Sequence, residues 1–138
     1  MISTLTIATP GRGLHEFTDR LRETIASSGV REGLCTVFIQ HTSASLVIQE
    51  NADPTARQDL EGWMDRHVPE DDRRFTHTAE GPDDMPSHIR ATLTATSLSI
   101  PLIDGRPALG TWQGVFLWEH RRAPHRRRVI VQTLSDRP

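Results

Sequence analysis

Three of the seven histidines stand where chemistry is easiest to arrange. His41 closes a β-prone run at the polar turn QHTSAS, and His77 and His88 bracket the loop HTAEGPDDMPSH. Imidazole nitrogens bind zinc and similar ions well, and three of them leave a position open for water or substrate. The spacing is not that of HExxH or another local metal motif, so spacing alone does not separate a site from exposed or hydrogen-bonded rings. His15, His67 and His125 are read as rings of that ordinary kind. Between His77 and His88 lie Glu80, Asp83 and Asp84. Acids in a Gly-Pro loop are commonly just solvated. Their functional reading is that one orients a metal-bound histidine or holds a magnesium ion carrying a substrate phosphate.

Two further segments concentrate polar groups. In HTSASLVIQENADPT (41–55), Thr42, Ser43 and Ser45 are able to donate to a phosphate, or to serve plain turn chemistry. Glu50 and Asn51 either face a site or satisfy loop backbone. Thr111, Trp112, Gln113 and Gly114 follow Gly110. Successive strand side chains point to opposite faces, so of Trp112 and Gln113 one packs inward while the other faces a pocket or a neighbouring subunit. Glu119, His120 and Arg121 end that strand. Arg121, Arg122, Arg126, Arg127, Arg128 and Arg137 follow, as phosphate ligands or as a basic hairpin pairing with the acidic stretch 50–84. No GxSxG elbow surrounds any serine, which argues against a Ser-His-Asp hydrolase.

Composition narrows the chemistry. All 16 basic residues are arginine and there is no tyrosine. Schiff-base catalysis and a P-loop lysine are excluded, and acid–base work falls to His, Asp or Glu. Arginine is the remaining cation for clamping a phosphate, in bidentate geometry. Cys35 is the only cysteine, so no intrachain disulfide forms, and it reads as a buried strand residue. A net charge of -2 gives no reason to expect nucleic acid or an anionic membrane as partner. No apolar run approaches the roughly 20 residues of a membrane span, and MISTLTIATPGRG does not read as a signal peptide. A cytoplasmic location is therefore the expectation.

The elements that must position these groups follow from periodicity. With 138 residues the chain makes one domain, 1–138. Residues 2–9 alternate and predict a half-exposed strand. Leu14, Phe17, Leu21 and Ile25 predict a helix over 14–27, stopped at Gly29. Strands are expected at 34–40 and 45–49. Asp53-Pro54 starts a helix with Ala56, Leu60, Trp63 and His67 on one face. A long loop fills 70–85, and a short helix over about 86–94 turns Ile89 and Leu93 inward. SLSIPLI (97–103) meets the hairpin signal Asp104-Gly105, and strands follow over about 112–120 and 128–134. The class is α+β, a mainly antiparallel sheet covered by two to three helices.

Taken together, the motifs QHTSASLVIQENADPTARQDLEGW (40–63), HTAEGPDDMPSHIRATL (77–93), GTWQGVFLWEHR (110–121) and RRVIV (127–131) resemble the YjbQ family closely. The resemblance implies a bent antiparallel sheet, a homotrimer, and a metal-capable histidine cluster that maps onto His41, His77 and His88. It places the family's acidic-loop pattern on Glu80, Gly81, Asp83, Asp84 and Met85. Its strand pattern falls on Thr111, Trp112, Gln113, Gly114, Glu119 and His120. Family members are associated with a secondary thiamine-phosphate synthase activity, which joins hydroxymethylpyrimidine diphosphate to thiazole phosphate and releases pyrophosphate. On that reading a divalent metal, zinc or with a diphosphate magnesium, sits on the three histidines. Asp84, Glu80, Glu50 and Gln113 are the catalytic candidates, and Thr42, Ser43, Asn51, Thr111 and Arg121 bind the substrate. Alternatives are a metal-dependent hydrolase or lyase on another small phosphorylated metabolite, and a non-catalytic metabolite-binding trimer.

Overall fold

Alternation makes ISTLTIAT a strand, β1 (Ile2–Thr9), with Leu5 and Ile7 turned inward. The computed structural model describes residues 1–138. After β1 the chain departs from the predicted helix start. Gly13–Glu16 is a short strand, β2, and helix α1 runs Thr18–Ser28. Leu14 shares the helical spacing of Phe17, Leu21 and Ile25, but its backbone N–H donates to the Glu61 carboxylate at 2.8 Å. That bond holds the segment extended, and Leu14 packs in a different cluster from Leu21 and Ile25. Gly29 ends α1 in the left-handed region (φ 73°), where a residue without Cβ is unstrained.

Strands β3 (Gly33–Ile39) and β4 (Ala44–Glu50) follow, then helix α2 (Pro54–His67). Asp53 caps α2, its carboxylate accepting from the Thr55 N–H at 2.9 Å. The buried stripe of α2 is shifted from the expected one. Leu60, Met64 and Val68 pack inward, while Trp63 is 47% exposed and stacks on His67 at 4.1 Å. Helix α3 (Asp84–Leu93) begins two residues earlier than expected. Ile89 packs on the core, but Leu93 is exposed, because Pro86, Ser87 and Arg90 form the inner face. Strands β5 (Ser97–Ile103), β6 (Arg106–Pro107), β7 (Gln113–Glu119) and β8 (His125–Ser135) complete the chain. Asp104 (φ 52°) and Gly105 (φ 75°) both take positive φ, as a type I′ hairpin turn requires.

The strands form two antiparallel sheets, ordered β1-β8-β3-β5-β6 and β2-β7-β4. They meet where Ile39 N–H donates to Thr96 and Leu46 N–H donates to Ala95, at 3.0 and 2.7 Å. The main core lies between them, with Cys35, Val37 and Ile39 facing Leu46, Val115 and Leu117, and Leu21 and Ile25 of α1 added. On the other face of the smaller sheet, Phe116 and Trp118 pack against Met64 and Val68. β7 is thus covered on both faces, which is why it reads as an unbroken apolar run. The fold is α+β with three helices. Leu34, Phe38 and Leu134 remain exposed on the larger sheet. No helix is long and apolar enough to cross a membrane.

Candidate metal centre

Asp84 opens α3 with its side chain only 5% exposed. Oδ1 accepts from Arg121 Nη1 at 2.7 Å. Oδ2 faces two rings, at 2.7 Å from His77 Nε2 and 3.1 Å from His88 Nε2. His88 lies one helical turn after Asp84, so both project from one face. His77 arrives from the preceding loop. Ligand atoms of His77, Asp84 and His88 lie within 4.8 Å of one another.

The hydrogen bonds set the chemistry of this group. His88 Nδ1 lies 3.0 Å from the Thr42 carbonyl, which can only accept, so Nδ1 carries a proton. In a neutral ring, His88 Nε2 is then a bare lone pair aimed at a carboxylate oxygen. A proton or a cation must stand between them. Burial pushes the Asp84 carboxyl up, but the hydrogen bond from His77 and the nearby charges of His88 and Arg121 outweigh it. The net shift is below the usual carboxylate range, so Asp84 stays ionised. Two imidazole nitrogens and one carboxylate oxygen match the three-ligand set of a catalytic zinc site, with a fourth position open. Magnesium, which takes oxygen ligands, fits this set less well.

Arg121, expected at a substrate phosphate, is occupied in building the site. It binds Asp84 through Nη1, Asp83 through Nε at 3.2 Å and the Glu80 carbonyl through Nη2 at 2.9 Å. Asp83 also accepts from the Arg122 N–H at 2.9 Å. The acidic loop is thereby pinned to the end of β7. Glu80 contributes its carbonyl while its side chain is exposed.

A buried ion pair lies behind this surface. Glu119 is fully buried, and its carboxylate takes Arg127 Nε at 2.7 Å, Thr9 Oγ1 at 2.6 Å and the Arg121 N–H at 3.1 Å. These donors hold its pKa below the usual range against the opposing effect of burial. Arg127 also donates to Ser43 Oγ at 2.9 Å, and Ser43 contacts His41 Nδ1. Ser43 is therefore buried and committed, not free for phosphate. Thr42 serves through its carbonyl. His120 is buried and bonded to Ser45, and burial, with Arg90 beside it, pushes its pKa down to about 3. Composition hid the Glu119–Arg127 pair inside a basic run. The signal was alternation: Arg127 shares the inward face of β8 with Val129 and Val131.

The resemblance implied His41, His77 and His88 as ligands. The structure brings His77, Asp84 and His88 together, and His41 lies outside that group. The remaining candidates stand elsewhere. Gln113 accepts from the Gly110 N–H at 2.7 Å, Glu50 accepts from the Asp53 N–H at 3.2 Å, and Asn51 donates to Glu16 at 3.0 Å. Thr111 is exposed beside them. The β4–β7 ladder runs from Ala44↔Glu119 to Glu50↔Gln113. At about 3.4 Å per residue, its two ends lie about 20 Å apart. One chain therefore does not gather both sets into one site.

The chain matches a family model described as "UPF0047 protein YjbQ-like" over residues 3–136. A UPF0047 protein of Synechocystis sp. is 59% identical over 132 residues, covering 96% of this chain and 90% of that protein. The UPF0047 protein YjbQ of Escherichia coli O157:H7 is 46% identical over 129 residues, 93% of each. A conserved hypothetical protein from Thermus thermophilus, solved by crystallography, superposes with TM-score 0.85 at 33% identity, covering 96% of this chain and 99% of that one.

Proposed function

We propose, from the premise that the chain belongs to the YjbQ-like UPF0047 family, that it is a metal-dependent enzyme acting on a small phosphorylated metabolite. The observation that carries this reading is the pairing of His88 Nε2 with Asp84 Oδ2 while His88 Nδ1 is committed to the Thr42 carbonyl. His77, Asp84 and His88 would hold the ion, and zinc suits them. A bound divalent cation supplies charge for a departing or reacting phosphate and lowers the pKa of its water. Asp84 keeps its charge for the ion, Arg121 fixes the carboxylate plane, and Thr42 fixes the His88 ring. The reaction we assign is thiamine-phosphate synthesis, by the family resemblance. A hydrolase or lyase on another phosphorylated metabolite is the second reading. It is favoured by the His-His-Asp donor set, which suits water activation, and by Arg121 being engaged with the loop.

Self-association as a homotrimer belongs to the same proposal. Leu34, Phe38 and Leu134 are exposed on the larger sheet, a face that a neighbouring copy would cover, and the family resemblance implies three copies. Metal analysis before and after chelation, then product analysis on the two thiamine precursors, tests the function. Metal-dependent release of pyrophosphate supports the synthase. Metal-dependent hydrolysis without coupling supports the second reading, and metabolite binding without turnover leaves a binding protein. Light scattering at micromolar concentration should return three times the chain mass, and a monomer overturns the trimer.

A further inference from the structure

His41 carries the clearest assignment of a proton outside the metal group. Arg127 is a donor only, and its Nη2 lies 2.9 Å from Ser43 Oγ, which therefore accepts. The one hydroxyl proton of Ser43 is then free to point at His41 Nδ1, 2.9 Å away. The Ser43 backbone N–H donates to the same nitrogen at 3.1 Å. An Nδ1 that accepts from an N–H holds no proton of its own, so the neutral ring carries its proton on Nε2. Glu119, locked on Arg127, fixes the far end of this chain of bonds. The His41 ring is exposed and Nε2 has no protein partner. His41 precedes Thr42, whose carbonyl lies 3.0 Å from His88 Nδ1, so the His41 backbone adjoins the His77–Asp84–His88 group.

A metal-binding nitrogen must be unprotonated. For His41 Nε2 that would require moving the proton to Nδ1, against the Ser43 amide. His88 shows the opposite setting, with Nδ1–H on a carbonyl and Nε2 open. We propose that His41 is a fixed hydrogen-bond donor, its Nε2–H offered to an anionic phosphate oxygen of the bound ligand, and is not a metal ligand. This rests on the proposed metal site only for the location of that ligand. The device is a preset donor: the buried Glu119–Arg127–Ser43 chain selects the tautomer before the ligand arrives.

Nitrogen-15 NMR of the histidine rings tests it. In metal-free protein, His41 should read as the Nε2–H tautomer. Added zinc should move the ring nitrogens of His77 and His88 and leave those of His41 in place. Pyrophosphate added next should shift His41 Nε2. His41→Gln should keep zinc affinity within about 2-fold and weaken pyrophosphate binding by about 10-fold or more, as loss of a hydrogen bond to a charged group does. An Nδ1–H tautomer, a zinc-induced shift at His41, or a tenfold loss of zinc affinity in His41→Gln overturns the inference. So does pyrophosphate binding that is absent, or equal in variant and parent. If zinc does not bind at all, the proposed metal function fails. The metal-free tautomer and a pyrophosphate titration without metal then still decide the role of His41.

Discussion

The two ends of the β4–β7 ladder carry similar polar residues and do different things with them. At the Ala44↔Glu119 end, charges are buried and converge: Asp84 meets two imidazoles and a guanidinium, with Glu119 and Arg127 behind. At the Glu50↔Gln113 end, the same kinds of groups close their own loops on backbone N–H groups and exposed neighbours. A buried charge is costly unless several partners hold it, so its presence marks a built constellation. An exposed amide or carboxylate in a loop has no such cost and marks nothing by itself.

The largest expected break of this contrast is Glu119→Gln. It leaves Arg127 buried without its counter-charge, and should destabilise the fold by about 3–5 kcal/mol in urea unfolding. A loss under about 1 kcal/mol would mean the pair is not a structural support of the Ala44↔Glu119 end. Arg121→Met is next. Asp84 would lose the partner that fixes its plane, so zinc affinity should fall roughly 10–100-fold by titration calorimetry. An unchanged affinity would make Arg121 a surface residue of the loop.

His120 sharpens the contrast through pH. Its pKa in the fold is about 3, depressed first by burial, while the unfolded chain takes up a proton below about 6.5. Its contribution is therefore complete above pH of about 6.5 and declines as pH falls toward the folded value. The slope approaches about 1.4 kcal/mol per unit. His41, also depressed by burial, adds in the same direction. Melts between pH of about 6.5 and 5 exclude the depressed carboxyls of Asp84 and Glu119, which matter only at lower pH, and comparison with His120→Gln isolates this ring. A flat profile there would contradict the buried neutral state of His120. The smallest effect belongs to the other end. Gln113→Ala should change stability by less than about 0.5 kcal/mol and leave zinc affinity as it was. A tenfold loss of zinc affinity would show that the two ends share a site across a subunit boundary.

Much of the fold was legible where local rules act alone. The β1 alternation, the Gly29 stop, the Asp53 cap and the Asp104-Gly105 turn all appear as read. Misreadings arose where a distant partner decided. Leu14 is extended because Glu61 takes its N–H, and Trp63 points outward because Met64 and Val68 reach Phe116 and Trp118 first. At the site, the histidine pair and Asp84 sat in one loop–helix segment and were nameable from it. That His41 stands outside their group was not, because His88 and His41 are held by Thr42 and Ser43 backbone groups whose placement the sequence does not display.

Titration of zinc into the purified chain, with the parent, Asp84→Asn and His125→Gln compared, decides whether His77, Asp84 and His88 hold an ion. One ion per chain is expected for the parent and for His125→Gln. For Asp84→Asn, with the fold retained, the expected affinity is lower by more than about 100-fold, beyond the loss typical of an outer partner. Equal zinc binding by the parent and Asp84→Asn would show that His77, Asp84 and His88 form no metal centre.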